Sequence, residues 1–103
     1  GVNLYPAEAE NVLATHPAVA DVAAIGVDHP EMGEELRALV VLRPGARATE
    51  SELIEYARAN LSSLKAPRSV LFVDDLERSP MGKLNRRLLR GRYATASAGT
   101  GVG

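Results

Sequence analysis

The sequence predicts a small α+β fold, a three-stranded sheet with helices packed on it in the order α-β-β-α-β-α. Three observations carry that expectation. Two stretches rich in β-branched residues and alanine, 19–27 and 36–42, follow one another with only a turn-forming loop between them. Segments with apolar residues at helical spacing precede and follow this pair. A chain of 103 residues, 46% hydrophobic and 24% charged, has the size for one core and not for two.

Pro6 suits the first position of a helix, and Glu8 and Glu10 favour the positive end of its dipole. Ala9, Val12, Leu13 and His16 recur at helical spacing, and Pro17 ends the segment. Val19 to Val27 reads as a strand buried on both faces, and Asp28 to Gly33 as a loop. Leu36 to Leu42 resumes as a strand with Leu36, Ala38, Val40 and Leu42 on one face. Their close succession makes the two strands antiparallel neighbours. Pro44-Gly45 breaks the chain, and Thr49 with Glu52 forms a capping-box signature. Leu53, Ile54, Ala57 and Leu61 then make the apolar stripe of a second helix, closed by Ser62, Ser63 and Pro67. Val70 to Val73 is a short third strand. After a turn at 78–83, Leu84, Leu88 and Leu89 are expected to face the core, with Arg86, Arg87 and Arg90 outward. Residues 1–93 are thus read as the domain and 94–103, small residues with nothing to bury, as a flexible tail.

The net charge of −1 hides an asymmetry. All 13 acidic residues lie at or before Glu77 beside six basic ones, whereas residues 78–103 carry six basic residues and no acid. A basic end on an acidic body suggests an anionic partner or an acidic neighbouring surface, and equally a solvated basic helix. No apolar run approaches the ~20 residues that span a bilayer. Zero cysteines exclude disulfides and thiolate chemistry, which is compatible with a cytoplasmic location.

Several chemistries fail on spacing. A phosphate-binding loop would need glycine where Glu77 stands and a hydroxyl where Leu84 stands. His16 and His29 lie 13 apart with no cysteine near, which is no metal spacing. At a helix end before Pro17, His16 is expected to cap or cover the core. The acidic pairs Glu8/Glu10, Glu34/Glu35 and Asp74/Asp75 sit at a helix start and at strand ends, where structural roles are ordinary. A nucleic-acid-binding module built on 78–92 would lack its aromatic platform, because none of Tyr5, Tyr56, Phe72 and Tyr93 interleaves with the arginines.

What is left is Ser79-Pro80-Met81-Gly82-Lys83, a glycine-containing bend that presents one lysine directly before a basic helix. A solvated loop lysine is the ordinary reading of such a residue. The alternative is a positive charge carried on a stiff support to an anionic ligand.

Five segments, in order, resemble one family. Gly1-Val2-Asn3-Leu4-Tyr5-Pro6-Ala7-Glu8 is similar to the entry of the small C-terminal domain of adenylate-forming ligases. His16-Pro17-Ala18-Val19-Ala20-Asp21-Val22-Ala23 resembles their HPxVxDVAV strand. Gly33-Glu34 before a valine-rich strand, and Leu64-Lys65-Ala66-Pro67-Arg68 before Val70 to Val73, are similar to further landmarks. Arg78-Ser79-Pro80-Met81-Gly82-Lys83-Leu84 resembles the family's conserved-lysine motif. Within that superfamily the chain looks most like acyl-CoA synthetases acting on fatty or other carboxylic acids. Met81 to Arg86 only partly resembles the version found in peptide-synthetase adenylation enzymes.

The resemblance implies a two-step reaction in which ATP and a carboxylic acid give an acyl-adenylate, and CoA thiol then displaces AMP. It implies Lys83 as the catalytic lysine of the first step, Gly82 as the support of its turn and Gly1 as a hinge-proximal residue. ATP with Mg, CoA, and a large N-terminal nucleotide-binding domain are the partners implied, with no metal held by this domain itself. The chain is then either a piece of its parent or a freestanding accessory domain. The implied location is cytoplasmic, with a membrane-peripheral position open to an enzyme of fatty acids. Glu77 departs from the family's usual proline, which is expected to loosen the turn and disrupts the Pro-x-x-x-x-Gly-Lys pattern associated with lysine acetylation in some relatives.

Overall fold

The computed structural model describes residues 4–31 and 33–95. Its elements follow the expected order: α1 (Pro6–Leu13), β1 (Val19–His29), β2 (Gly33–Leu42), α2 (Glu50–Asn60), β3 (Ser69–Phe72) and α3 (Arg86–Tyr93). One sheet has the strand order β1-β2-β3, with β1 antiparallel and β3 parallel to the central β2.

Local chemistry explains the element ends. Pro6 opens α1, where its missing N–H costs nothing. That helix stops at Leu13, earlier than the apolar spacing through His16 suggested. The residue before Pro17 is biased away from helical backbone. His16 instead accepts the Ala18 N–H on Nδ1 at 3.0 Å and packs edge-on against Tyr56 with ring centres 4.8 Å apart, a structural role. The Thr49 hydroxyl caps α2 by accepting the Glu52 N–H at 3.1 Å. The 28–33 segment is less of a loop than expected. The ladder continues through Asp28↔Glu34 and His29↔Gly33, because polar side chains beyond the core do not interrupt backbone pairing.

A register shift between Val19 and Asp21 breaks the strict alternation of β1. Val19 and Val22 consequently share the layer formed by Leu13, Ala38, Val40, Leu53, Ala57 and Val70, beneath α1 and α2. Ala23, Ile25 and Val27 face the opposite layer with Leu39, Leu71, Leu76 and Leu89, beneath α3. The sheet is therefore buried on both faces, as β1 read in sequence.

Both outer strands have an amide satisfied by a glutamate. Glu10 Oε2 accepts the Ala24 N–H at 2.8 Å and Glu50 Oε2 accepts the Val70 N–H at 2.8 Å. Such caps occupy strand-edge groups that would otherwise need water or a second strand. Ala94, read as the first residue of the tail, caps α3, and its carbonyl and that of Tyr93 accept from Arg37. Residues 96–103 lie outside the described part.

The last helix corrects one expectation. Of the three leucines assigned to its core face, only Leu89 is fully buried; Leu84 is partly buried ahead of the helix, and Leu88 is 41% exposed. Eight residues bring just one leucine squarely over the sheet. Leu89→Ala should therefore lower unfolding free energy by about 2–5 kcal/mol, and Leu88→Ala by less than about 1 kcal/mol, measured by urea denaturation. Equal losses at the two positions would refute this assignment of the buried face.

Candidate functional site

The segment between the two buried leucines Leu76 and Leu89 carries the lysine turn. Its shape comes from the backbone. The Gly82 N–H donates to the Ser79 carbonyl at 2.8 Å, and the Ser79 N–H to the Lys83 carbonyl at 2.9 Å. Pro80 holds the second position of the bend, and Gly82 adopts φ +84° where the chain turns back. A side chain at Gly82 would meet nothing within 4 Å, so the glycine is required for its backbone angle and not for space. The Ser79 hydroxyl accepts the Lys83 N–H at 3.1 Å, so the amide of the lysine itself is fixed.

Arg78 ties this turn to the sheet. Its Nε and Nη2 donate to the two Asp21 oxygens, each at 2.8 Å, and its Nη1 donates to the Gly82 carbonyl at 2.7 Å. One planar guanidinium thus joins β1 to the residue immediately before Lys83. Hydrogen bonding from Arg78 holds the Asp21 carboxyl below its ordinary value of 3.8, overcoming the opposite pull of partial burial. The same contact raises Arg78 above its ordinary value.

The basic C-terminal segment is largely neutralised within the molecule. Besides Arg78 with Asp21, Arg86 pairs with Glu10 at 2.6 Å and Arg90 with Glu34 at 2.7 Å. Arg92 pairs with Glu77. Glu77 adopts φ +53°, a conformation closed to proline. Instead of leaving the turn loose, Glu77 anchors α3 through Arg92. Among the described residues of the 78–95 segment, the cations left without an acidic partner are Lys83 and Arg87.

Lys83 is exposed at an open recess of about 480 Å³ that it shares with Ser79, Leu84, Asn85 and Leu88. Met81, 85% exposed, projects from the tip of the turn. A larger groove of about 720 Å³ lies between Leu4 with Ala24 to Gly26 of β1 on one side and Arg86, Arg87 and Gly91 of α3 on the other, apart from the lysine. Among the described residues no three His, Cys, Asp or Glu side chains are grouped to hold a metal.

The family described as the AMP-binding enzyme C-terminal domain matches residues 8–83, a stretch running from α1 to Lys83 itself. The chain belongs to this family. Two curated CoA ligases of a methyl-dioxo-octahydro-indenyl propanoyl group are similar to this AMP-binding C-terminal domain. The one from Mycobacterium tuberculosis is 50% identical over 90 residues and the one from Rhodococcus jostii 47%, each alignment covering 87% of this chain and 18% of the relative. The crystal structure of ATP-bound MatB from Rhodopseudomonas palustris superposes with a TM-score of 0.84 at 38% identity, covering 92% of this chain and 19% of that one. The domain thus spans about a fifth of the length of the proteins it matches.

Of the residues singled out in sequence, the structure brings Lys83 and Gly82 together on one hydrogen-bonded turn. Gly1 lies outside the described residues. Sequence reasoning assigned no role to Asp21 or Arg78, although both stand inside quoted motifs. Their separation of 57 positions hides the contact, and an arginine bordering the turn was the available signal.

Asp21 has a depressed pKa in the folded state, so its contribution to stability is present above pH 3.8 and lost as pH falls through the folded-state value. With both partners about one-third exposed, that contribution is modest. Asp21→Asn should destabilise the domain at pH 6, and the gap to wild type should close below about pH 3.8, read from urea unfolding across pH 3–7. A gap independent of pH would mean that the carboxylate charge is not what Arg78 uses.

Proposed function

We propose that this domain delivers Lys83 to the active site of an ATP-dependent acyl-CoA synthetase, for the step that joins a carboxylic acid to AMP. The observation that carries the reading is a lysine without an acidic partner, on a turn fixed by backbone hydrogen bonds, beside arginines already paired internally. Family membership and the named activities of the similar ligases support it.

In the first step a carboxylate oxygen attacks the α-phosphorus of ATP. The bond to the bridging oxygen breaks, and pyrophosphate departs with the electron pair. Both reactants are anions, and negative charge builds on the phosphoryl oxygens in the transition state. An ammonium held between them offsets the repulsion and fixes the approach. Lysine suits this as a compact point charge on a flexible stem. In the second step the CoA sulfur attacks the acyl carbon, AMP leaves, and the thiol proton is lost, giving the thioester. Movement of the whole domain between the steps withdraws Lys83 and presents another face.

ATP and CoA bind mainly on a large N-terminal domain in this reading, and the apolar Met81 and Leu88 beside Lys83 meet that domain's surface. The recess at Lys83 does not fit a metal: Glu77 is its single carboxylate and is paired with Arg92. Magnesium accordingly belongs with ATP on the large domain. A cytoplasmic location, peripheral to membrane when the acid is a fatty acid, belongs to the same proposal.

In the full-length ligase, Lys83→Ala should lower adenylate formation by about 10²–10³-fold while sparing thioester formation from preformed acyl-adenylate. Equal loss in both half-reactions would remove Lys83 from the first step. The 103-residue chain alone should release no pyrophosphate from ATP and acid, and a positive assay on it would overturn the division of labour between domains.

A further inference from the structure

We propose that Arg78 is the positioning residue for Lys83, acting as a clamp between Asp21 on β1 and the Gly82 carbonyl. The inference rests on the assignment of Lys83 to adenylate formation and adds the device that aims it.

The bonds inside the turn fix its shape and not its direction. The Ser79, Gly82 and Lys83 contacts all begin and end within 79–83, so the bend could pivot as a unit without breaking one of them. Its tip offers little to stop such a pivot: Met81 is 85% exposed, and a Cβ added at Gly82 would meet nothing within 4 Å. Packing of Leu76 and Leu84 holds the two ends of the segment, but neither side chain touches the question of where the lysine points.

Arg78 answers it. Bidentate pairing to Asp21 fixes the guanidinium plane relative to the strand, and the third bond from Nη1 fixes the Gly82 carbonyl relative to that plane. Asp21 is itself held, because its Oδ1 accepts the Val22 N–H at 2.9 Å. Alternation along β1 puts Asp21 on the face of Ala23, Ile25 and Val27, the side covered by α3 and the turn. The path from sheet to lysine is therefore strand, carboxylate, guanidinium, carbonyl, Lys83. A lysine at position 78 could pair with Asp21, but its single ammonium cannot reproduce the fork that also reaches Gly82.

The test uses full-length ligase with both half-reactions assayed separately. Arg78→Ala and Arg78→Lys should each lower adenylate formation about 10–100-fold, the cost of a misplaced catalytic group, and leave thioester formation from acyl-adenylate unchanged. The double variant Arg78→Ala/Lys83→Ala should be no slower than Lys83→Ala alone, because a residue acting through Lys83 has nothing left to position. Arg78→Lys keeps the charge and the ion pair, and so reports on aiming even where Arg78→Ala folds poorly. Wild-type adenylation in Arg78→Lys, equal loss in both half-reactions, or additive losses in the double variant would each overturn the positioning role while Lys83→Ala still shows its own effect. Normal adenylation by Lys83→Ala would instead overturn the reading of Lys83 on which the clamp rests.

Discussion

Burial of the central sheet on both faces is the constraint on which the rest of the structure depends. β2 places Ala38 and Val40 in one layer and Leu39 in the other, so each side of the sheet needs a cover. Helices α1 and α2 supply the first. On the second side, among the described residues, the segment after β3 supplies the cover with Leu76 and Leu89. The lysine turn is the connection between these two anchors. It is thereby held against the sheet at both ends while its tip stands in solvent, which suits a group that must reach out and remain aimed.

Electrostatics finishes what apolar burial begins. One fully buried leucine with the partly buried Tyr93 is a slight hold for an eight-residue helix, and α3 gains further attachments from charge. Arg86 reaches Glu10 on α1, Arg90 reaches Glu34 on β2, and Arg92 reaches Glu77 at the exit from the sheet. Glu10 contributes twice, since the carboxylate that holds Arg86 also accepts an edge amide of β1. Pairs of this exposure contribute little energy individually. Spread over α1, β2 and the segment after β3, they fix the direction of the helix more than they stabilise the fold. The same pairing uses up most of the positive charge that the linear sequence offered to an outside partner, and leaves Lys83 and Arg87 available.

Much of the fold was legible because its signals are local. Pro6 at a helix start, the Thr49 cap, the continuous apolar stretch of β1 and the Gly82 bend each act within a few residues, and each appears where the pattern put it. Errors arose where the deciding group was distant or outside the core. Leu88 shares a helical repeat with Leu84, but of the leucines on α3 only Leu89 is fully covered in the core. Turn-forming residues from Asp28 to Gly33 suggest a loop at the end of β1, whereas the ladder follows backbone geometry.

The sequence by itself determined the order of elements, the family resemblance and the lysine on its turn, because periodicity, capping and bend chemistry are written in neighbouring residues. Tertiary structure alone decided which charges remain available and what aims the lysine. An excess of arginine in one stretch and of acid in another does not say which will meet. Asp21 and Arg78 are brought to hydrogen-bond distance only when the segment after β3 folds back over the face of β1. Proximity across 57 residues is a property of that path, and the turn carrying Lys83 takes its direction from it.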